Sequence, residues 1–195
     1  IFIRYLTETY QIPALVLAFW RDVFVTIALF PAIFFIRRRL LNIQSKDILY
    51  LILYGLVLAL FNSFWTLSVA LNGAALATVL VYCSTAFTAL LGWWLLKEQI
   101  HWSKIFAIVL TLVGCVIVSG AYTSSAWQSN LAGISAGVLA GLLYAFYSLM
   151  GRSASERGLI PATTLFYTFA FATVFLFLIN LMPVANLPGT ASQLS

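Results

Sequence analysis

Two long stretches of the sequence contain no ionisable side chain of the Asp, Glu, Lys, Arg or His type. The first separates Asp47 from Lys97, and the second separates Lys104 from Arg152. A hydrocarbon core about 30 Å thick is crossed by about 20 apolar helical residues, so each stretch holds about two membrane spans. A soluble domain could not cover its surface with a chain that is 63% hydrophobic and 8% charged. The sequence therefore predicts an integral membrane protein whose surroundings are the lipid bilayer.

Breaks in the apolar pattern divide the chain into six full spans. The breaks are short and are marked by basic or turn-forming residues, such as Asn72-Gly73. The predicted spans are residues 13–36, 48–71, 74–96, 103–121, 131–151 and 161–182. Residues 1–6 are too few to span, and we expect them to be the end of a cut first helix. Short connections favour antiparallel neighbours, so the predicted fold is an all-α polytopic transmembrane helix bundle.

Basic residues are distributed unevenly between the connections. The connections at 72–73, 122–130 and 182–195 contain no Lys or Arg. Because Lys and Arg near span ends stay on the cytoplasmic side during insertion, the alternate connections are predicted to be cytoplasmic. We expect the membrane to be the bacterial cytoplasmic (inner) membrane. The basic residues that agree with this single topology are Arg37, Arg38, Arg39, Lys46, Lys97, Lys104, Arg152 and Arg157.

When the sequence is aligned with a shifted copy of itself, identical polar and proline residues fall opposite one another. This alignment places the span 161–182 on the span 13–36 and makes each unit five helices long. A unit with an odd number of helices inserts its copy upside down, and inverted repeats are common in secondary transporters. We therefore assign residues 1–122 to a first repeat and 131–195 to the beginning of a second, with about three further helices expected. The aligned pairs include Arg4 and Arg152, Glu8 and Glu156, and Pro13 and Pro161.

Two segments carry a resemblance to a known family. The stretch Ala70-Leu71-Asn72-Gly73-Ala74-Ala75-Leu76-Ala77 and the later Leu96-Lys97-Glu98-Gln99-Ile100 resemble an EamA-type repeat of the drug/metabolite transporter superfamily. This resemblance implies ten helices in two inverted five-helix repeats. It also implies a secondary transporter that moves an amino acid, sugar, nucleotide derivative or drug-like solute by alternating access. Many members have a proline in the fourth helix, whereas this chain has Ser84-Thr85-Ala86, which removes the usual cause of a kink there.

Arg21 and Asp22 are ionisable residues inside the span 13–36. They lie about 12 Å from its beginning at 1.5 Å per residue, which is near mid-membrane. Charges at that depth indicate a solute path or an internal ion pair, although adjacent residues point about 100° apart and are not expected to share one face. Alternatively, Arg21 extends to the interface, and Asp22 is neutral or bonds a neighbouring helix. The family resemblance supports an arginine at this position.

Polar and aromatic residues on three spans form the predicted solute cavity. Hydroxyls, one amide and aromatic faces suit a partly apolar or zwitterionic solute better than a phosphate, which needs several buried cations. The alternatives are interhelical hydrogen bonds, worth about 0.6 kcal/mol each, or tyrosines in an interfacial belt. Gly133, Gly137 and Gly141 recur every fourth residue and predict a face for close helix packing. The candidate cavity residues are Asn62, Trp65, Tyr82, Thr85, Tyr144, Tyr147 and Ser148.

Enzyme chemistry has little support in the sequence. It contains no metal-ligand motif, no phosphate-binding glycine loop and no set of nucleophile and base, so no metal, cofactor or catalytic residue is predicted. The net charge is +5, but the Lys and Arg residues do not form a basic stripe, so nucleic acid is not an expected partner. The competing interpretations are a non-transporting membrane scaffold and an intramembrane enzyme that uses Asp22. The sequence does not determine the oligomeric state.

Overall fold

The computed structural model describes residues 13–36, 43, 45–96, 101–119 and 131–181, and all regular structure within these ranges is helical. The described helices are α1 (Ala14–Ile36), α2 (Ser45–Asn72), α3 (Ala74–Tyr82), α4 (Ser84–Leu96), α5 (Trp102–Ser119), α6 (Leu131–Glu156) and α7 (Pro161–Leu181). The prediction of an all-α polytopic helix bundle is confirmed.

Long apolar helices dominate the described part of the chain. Four stretches are long and apolar enough to cross a membrane, and Ile105–Gly114 is a shorter apolar stretch. Large apolar side chains on α1, α4 and α5 point outward, Trp20, Trp94 and Phe106 among them. Because only lipid can accept so much exposed apolar surface, the chain is an integral membrane protein. The four stretches are Ser45–Asn72, Ala74–Trp94, Leu131–Glu156 and Pro161–Leu181.

The ends of α2 and α6 follow local backbone chemistry. A break at Gly73 was predicted and is confirmed, because Gly73 has φ 82°, a conformation that side chains disfavour. The predicted end of α6 at residue 151 is wrong, since the helix continues to Glu156. Arg152 Nε contacts Glu156 Oε1 at 3.1 Å one turn later. Gly158, with φ 74°, then ends the helix as the left-handed residue after its last turn.

The predicted span 74–96 is not one continuous helix, because α3 ends at Tyr82 and α4 begins at Ser84. At the break, the Cys83 N–H donates to Leu80 O at 3.2 Å, three residues back instead of four. The Thr85 hydroxyl donates to Tyr82 O at 2.9 Å. Short hydroxyl side chains compete for backbone groups, so the helical hydrogen-bond pattern is interrupted here without the family's proline.

The helices are arranged so that basic residues collect at one end of the bundle. Asp47, in the first turn of α2, lies 4.0 Å from Arg157, just after α6, so these two helices run antiparallel. Residues α1 Phe30 and α7 Phe166 also meet, at 6.1 Å between ring centroids, so α1 and α7 run antiparallel as well. We call this end, which carries Lys46, Arg152 and Arg157, the basic end. The predictions for Arg37, Arg38, Arg39 and Lys97 lie outside the described residues.

Glycines allow the helices of the bundle to approach closely. Gly133, Gly137 and Gly141 are all buried, which confirms the predicted packing face on α6. A Cβ atom at Gly137 would lie 2.6 Å from Leu80 Cδ1, and one at Gly141 would lie 3.0 Å from Leu80 O. The Ser68 hydroxyl donates to Gly133 O at 2.8 Å across the same contact. The stripe therefore joins α6 to both α2 and α3.

Replacing Gly55 with alanine should destabilise the bundle. A Cβ atom there would lie 2.5 Å from Phe171 Cβ and 3.0 Å from Thr168 O, so α2 and α7 would have to separate. Overpacking of this kind costs about 1–3 kcal/mol. Gly114→Ala is the matched control, because no atom lies within 4 Å of a Cβ there and alanine favours a helix. Unfolding of the full chain in detergent, followed by circular dichroism, measures both. Equal stabilities of the two variants would contradict this packing.

Candidate functional site

The carboxyl group of Asp22 lies in the interior of the bundle at 0% exposure. Its Oδ2 atom accepts a hydrogen bond from Asn62 Nδ2 on α2 at 2.6 Å. Its Oδ1 atom lies 3.3 Å from Nε of Arg21. Both carboxylate oxygens are therefore partnered, which is the condition under which a charged group is retained away from water.

Arg21 reaches its neighbour because its side chain is long enough to fold back along α1. The prediction that Arg21 and Asp22 could not share a face is therefore wrong for their charged ends. The guanidinium carbon lies 5.5 Å from the centroid of the Trp65 ring, a cation–π distance. The side chain keeps 38% exposure. Of the two alternatives drawn from the sequence, Asp22 does bond a neighbouring helix, but Arg21 remains with Asp22 and Trp65.

Helix α2 holds both charged groups of α1 through residues one turn apart. Asn62 binds the carboxylate, and Trp65, three residues later, lies under the guanidinium. Asn62 itself is 2% exposed, and its carbonyl accepts a hydrogen bond from the Thr66 hydroxyl at 2.7 Å. On α1, the Thr26 hydroxyl donates to Asp22 O at 2.8 Å. The geometry of the ion pair is thus fixed from two helices.

Aromatic side chains of α6 pack on the same part of α2. The ring of Tyr144 lies 5.1 Å from that of Phe61, and the ring of Tyr147 lies 4.7 Å from that of Tyr54. Phe61 and Trp65 are four residues apart and therefore share one face of the helix. Tyr144 and the Arg21 guanidinium consequently lie along a common face of α2.

The remaining predicted residues lie at the α3–α4 break and on α6. Tyr82 ends α3, Thr85 bonds back to it across the break, and Ser148 lies one turn after Tyr144. Tyr82 is 45% exposed and Tyr144 is 39% exposed. Among the described residues, neither tyrosine hydroxyl has a hydrogen-bond partner. In the structure, Asn62 and Trp65 lie on α2, and Tyr144 and Tyr147 of α6 pack against that helix. Tyr82 and Thr85 lie on the other side of α6, at the α3–α4 break.

A cavity of about 170 Å³ opens beside Tyr147, between α2, α6 and α7. Of the predicted residues, only Tyr147 is among those that line it. Sequence reasoning missed Tyr54 and Thr164, although Tyr50 and Tyr54 stand one helical turn apart and form a detectable aromatic face. The lining residues are Tyr54, Tyr147, Gly151, Ala154, Ser155, Leu159, Pro161, Thr164 and Leu165.

Further contacts hold α2 to the end of α6 at the basic end of the bundle. The Arg157 guanidinium lies 4.4 Å from the centroid of the Tyr50 ring, and the Tyr50 hydroxyl donates to Met150 O. Asp47 is nearly buried, with its Oδ1 atom 4.0 Å from Arg157. Sequence reasoning used Arg157 only as a topology signal, and the structure adds its contact with the first turn of α2.

The described residues can offer charged, hydrogen-bonding and aromatic groups to a small solute. Among the described residues, no group of three or more His, Cys, Asp and Glu side chains could hold a metal ion. The ionisable pair is engaged with Asn62 and Trp65, and the rings of Phe61 and Tyr144 pack together one turn along α2. Such a lining can orient a small solute through hydrogen bonds and ring contacts.

These features define a polytopic helical membrane protein with a charged and aromatic site between its helices. A sequence model of the EamA-like transporter family matches residues 1–120, and the chain belongs to this family, which is part of the drug/metabolite transporter superfamily. Members of the family are membrane transporters. No curated protein and no solved structure matches the chain. Arg21, Asp22, Asn62 and Trp65 all lie within the matched residues.

Replacing Asn62 with leucine should destabilise the protein by about 2–3 kcal/mol, because a buried carboxylate loses a hydrogen bond to a charged group. The matched control is Asn180→Leu on α7. Among the described residues, Asn180 Nδ2 donates to the neutral carbonyls of Leu15, at 3.3 Å, and Leu176, at 2.8 Å. Its loss strands no buried charge, so it should cost only about 1 kcal/mol. Unfolding of the full-length variants in detergent gives both values. Equal losses at the two positions would contradict a charged partner for Asn62.

Proposed function

We propose that this chain forms part of a secondary transporter that moves a small metabolite across the membrane by alternating access. The observation that carries the proposal is the Arg21–Asp22 pair, held by Asn62 and Trp65 inside an apolar bundle. Charged residues inside membrane helices are costly and are kept where they serve a solute path. Membership of a transporter family supports the same conclusion.

The packing of α1 against α7 supports an inverted repeat. The shift that aligns Pro13 with Pro161 makes these two helices equivalent, and it pairs position 26 with position 174. In the structure the Thr26 hydroxyl lies 3.4 Å from the hydroxyl of Thr173, one residue away from that equivalence. Two equivalent helices that cross antiparallel near equivalent residues are related by an axis perpendicular to both. An axis in the membrane plane is the relation that alternating access between two repeats requires.

The competing functions fit these contacts less well. In a scaffold, apolar residues of similar volume would stabilise the bundle as well as this ion pair or better. A scaffold therefore gives no reason for the ion pair. An intramembrane enzyme would need a reactive group that its substrate can reach, whereas Asp22 has no exposed surface. The partly exposed hydroxyls of Tyr82 and Tyr144 suit solute contact. We therefore assign the candidate cavity to the binding of an amino acid, sugar, nucleotide derivative or drug-like solute.

Transport is tested with the purified full chain in proteoliposomes. Vesicles are loaded with labelled amino acids, sugars and nucleosides, and the release of each solute is followed over time. Release of at least one solute above that from protein-free vesicles is expected. If all solutes are retained, the transporter assignment fails.

Replacing Tyr82 or Tyr144 with phenylalanine should weaken the apparent affinity for the transported solute by about threefold to tenfold. This is the effect of losing one hydrogen bond worth about 0.5–1.5 kcal/mol. Thr111→Val is the matched control, because its exposed hydroxyl only donates to Ala107 O within α5. KM values from the proteoliposome assay decide the matter. Unchanged KM values for both tyrosine variants would assign their hydroxyls to packing alone.

The basic end is expected to face the cytoplasm of a bacterial cell, with the membrane being the cytoplasmic one. In a full chain with Cys83 and Cys115 replaced by alanine, Ser155→Cys reports on the basic end and Leu131→Cys on the opposite end. Both native side chains are exposed. A maleimide that cannot cross membranes should label only L131C in intact cells and both variants in inverted vesicles. Labelling of S155C in intact cells would reverse the orientation.

A further inference from the structure

Arg21 is held in one position by two contacts, one of which is itself fixed by a neighbouring helix. Its Nε atom is occupied by Asp22, and one face of its guanidinium covers Trp65. Asp22 is in turn fixed by Asn62. Among the described residues, the two terminal nitrogens of the guanidinium have no hydrogen-bond partner, although the side chain is 38% exposed. A fixed fork of donors is therefore presented at mid-helix, and no other residue in the described part of the chain accepts from it.

We propose that the outer edge of Arg21 binds the carboxylate group of the transported solute. This inference rests on the proposed transport function and names the chemical class of the solute. A guanidinium whose Nε is occupied still offers two parallel N–H donors, the geometry that matches one carboxylate. Asp22 acts as a positioning residue, because it orients the guanidinium but has no surface that a solute can touch.

Charge balance favours a carboxylate over a phosphate. Arg21 already compensates Asp22, so every negative charge of the solute adds to an apolar site in which few cations are available. Among the described residues, the other basic side chains lie at the basic end or at the start of α5. A single carboxylate adds one charge, whereas a phosphate adds nearly two. The site therefore fits a monocarboxylate.

The surface beside Arg21 fits an apolar group attached to that carboxylate. Phe61 and Trp65 form one face of α2, and the Tyr144 ring lies on Phe61. A ring or branched alkyl group could lie along this face while its carboxylate stays at Arg21. Phenylacetate and isovalerate meet this description, and their amides differ from them only in the charged group.

The binding test uses the full chain in detergent with phenylacetate, phenylacetamide, isovalerate and isovaleramide as probes. The dissociation constants follow from the concentration dependence of ligand-induced thermal stabilisation. At least one acid is expected to bind about tenfold or more tightly than its amide. Arg21→Lys keeps the positive charge beside Asp22 but loses the fork, so it should weaken binding of the acid by about tenfold to a hundredfold. Arg152→Lys, at an exposed pair on α6, should leave binding unchanged.

A second variant guards against a folding defect. In the double variant Arg21→Gln with Asp22→Asn, both charges disappear together and the amide at position 22 can still accept from Asn62. It should fold and lose the preference for the acid over the amide. Equal binding of acid and amide by the wild type, absence of acid binding, or unchanged acid binding by R21K would each overturn the proposal. If the carboxylate proposal fails, transport of neutral solutes in the proteoliposome assay would still support the transporter assignment. Arg21-dependent acid binding without any transport would instead reject the transporter assignment alone.

Discussion

The compensation of one buried charge organises the centre of this bundle. The carboxylate of Asp22 has no exposed surface, so every part of its stabilisation must come from neighbouring side chains. Arg21 supplies the opposite charge and Asn62 supplies an amide donor at 2.6 Å. Removal of Arg21 would leave an unpaired charge in an apolar interior, and removal of Asn62 would leave one carboxylate oxygen without its donor. The position of α1 relative to α2 is therefore set by this site rather than by apolar packing alone.

Close packing around the site depends on small residues. Ala18, Ala59 and Ala172 bring α1, α2 and α7 together in one buried cluster. In a membrane, helices gain little from the hydrophobic effect, and close backbone approach with interhelical hydrogen bonds replaces it. The hydrogen bond from Ser68 to Gly133 O shows both effects at a single contact. Close packing and the ion pair therefore both hold α1 against α2.

The sequence predicted the fold class well because its signals were strong and local. Charge-free stretches marked the spans, Gly73 marked a break, and the stripe of glycines on α6 marked a packing face. It failed where short-range signals were ambiguous. The helix break at Cys83 has no proline, and α6 passes Arg152 because a helix tolerates charged residues once it leaves the apolar core.

The candidate site was predictable in its residues but not in its contacts. Arg21 and Asp22 stood out as charges inside a span, and Asn62 and Trp65 stood out as polar or amphipathic residues. The directions of neighbouring Cβ atoms argued against contact between Arg21 and Asp22. That argument neglected the length of the arginine side chain. Tyr54 was missed because an aromatic residue in an apolar span looks like an ordinary residue of the hydrophobic core. Only its contact with Tyr147 distinguishes Tyr54 from such a core residue.

The ion pair at the centre of the bundle and the ionic contact at its basic end differ in how much they stabilise the packing of the helices. At the centre, the Asp22 carboxylate is buried and partnered, so separating α1 from α2 would expose or strand it. At the basic end, Arg157 is half exposed, lies 4.0 Å from Asp47 and covers Tyr50. Water can replace such exposed ionic contacts at a cost of about 1 kcal/mol or less. The association of α2 with α6 therefore depends less on this ionic contact than on close packing along α6, where the Ser68 hydroxyl donates to Gly133 O.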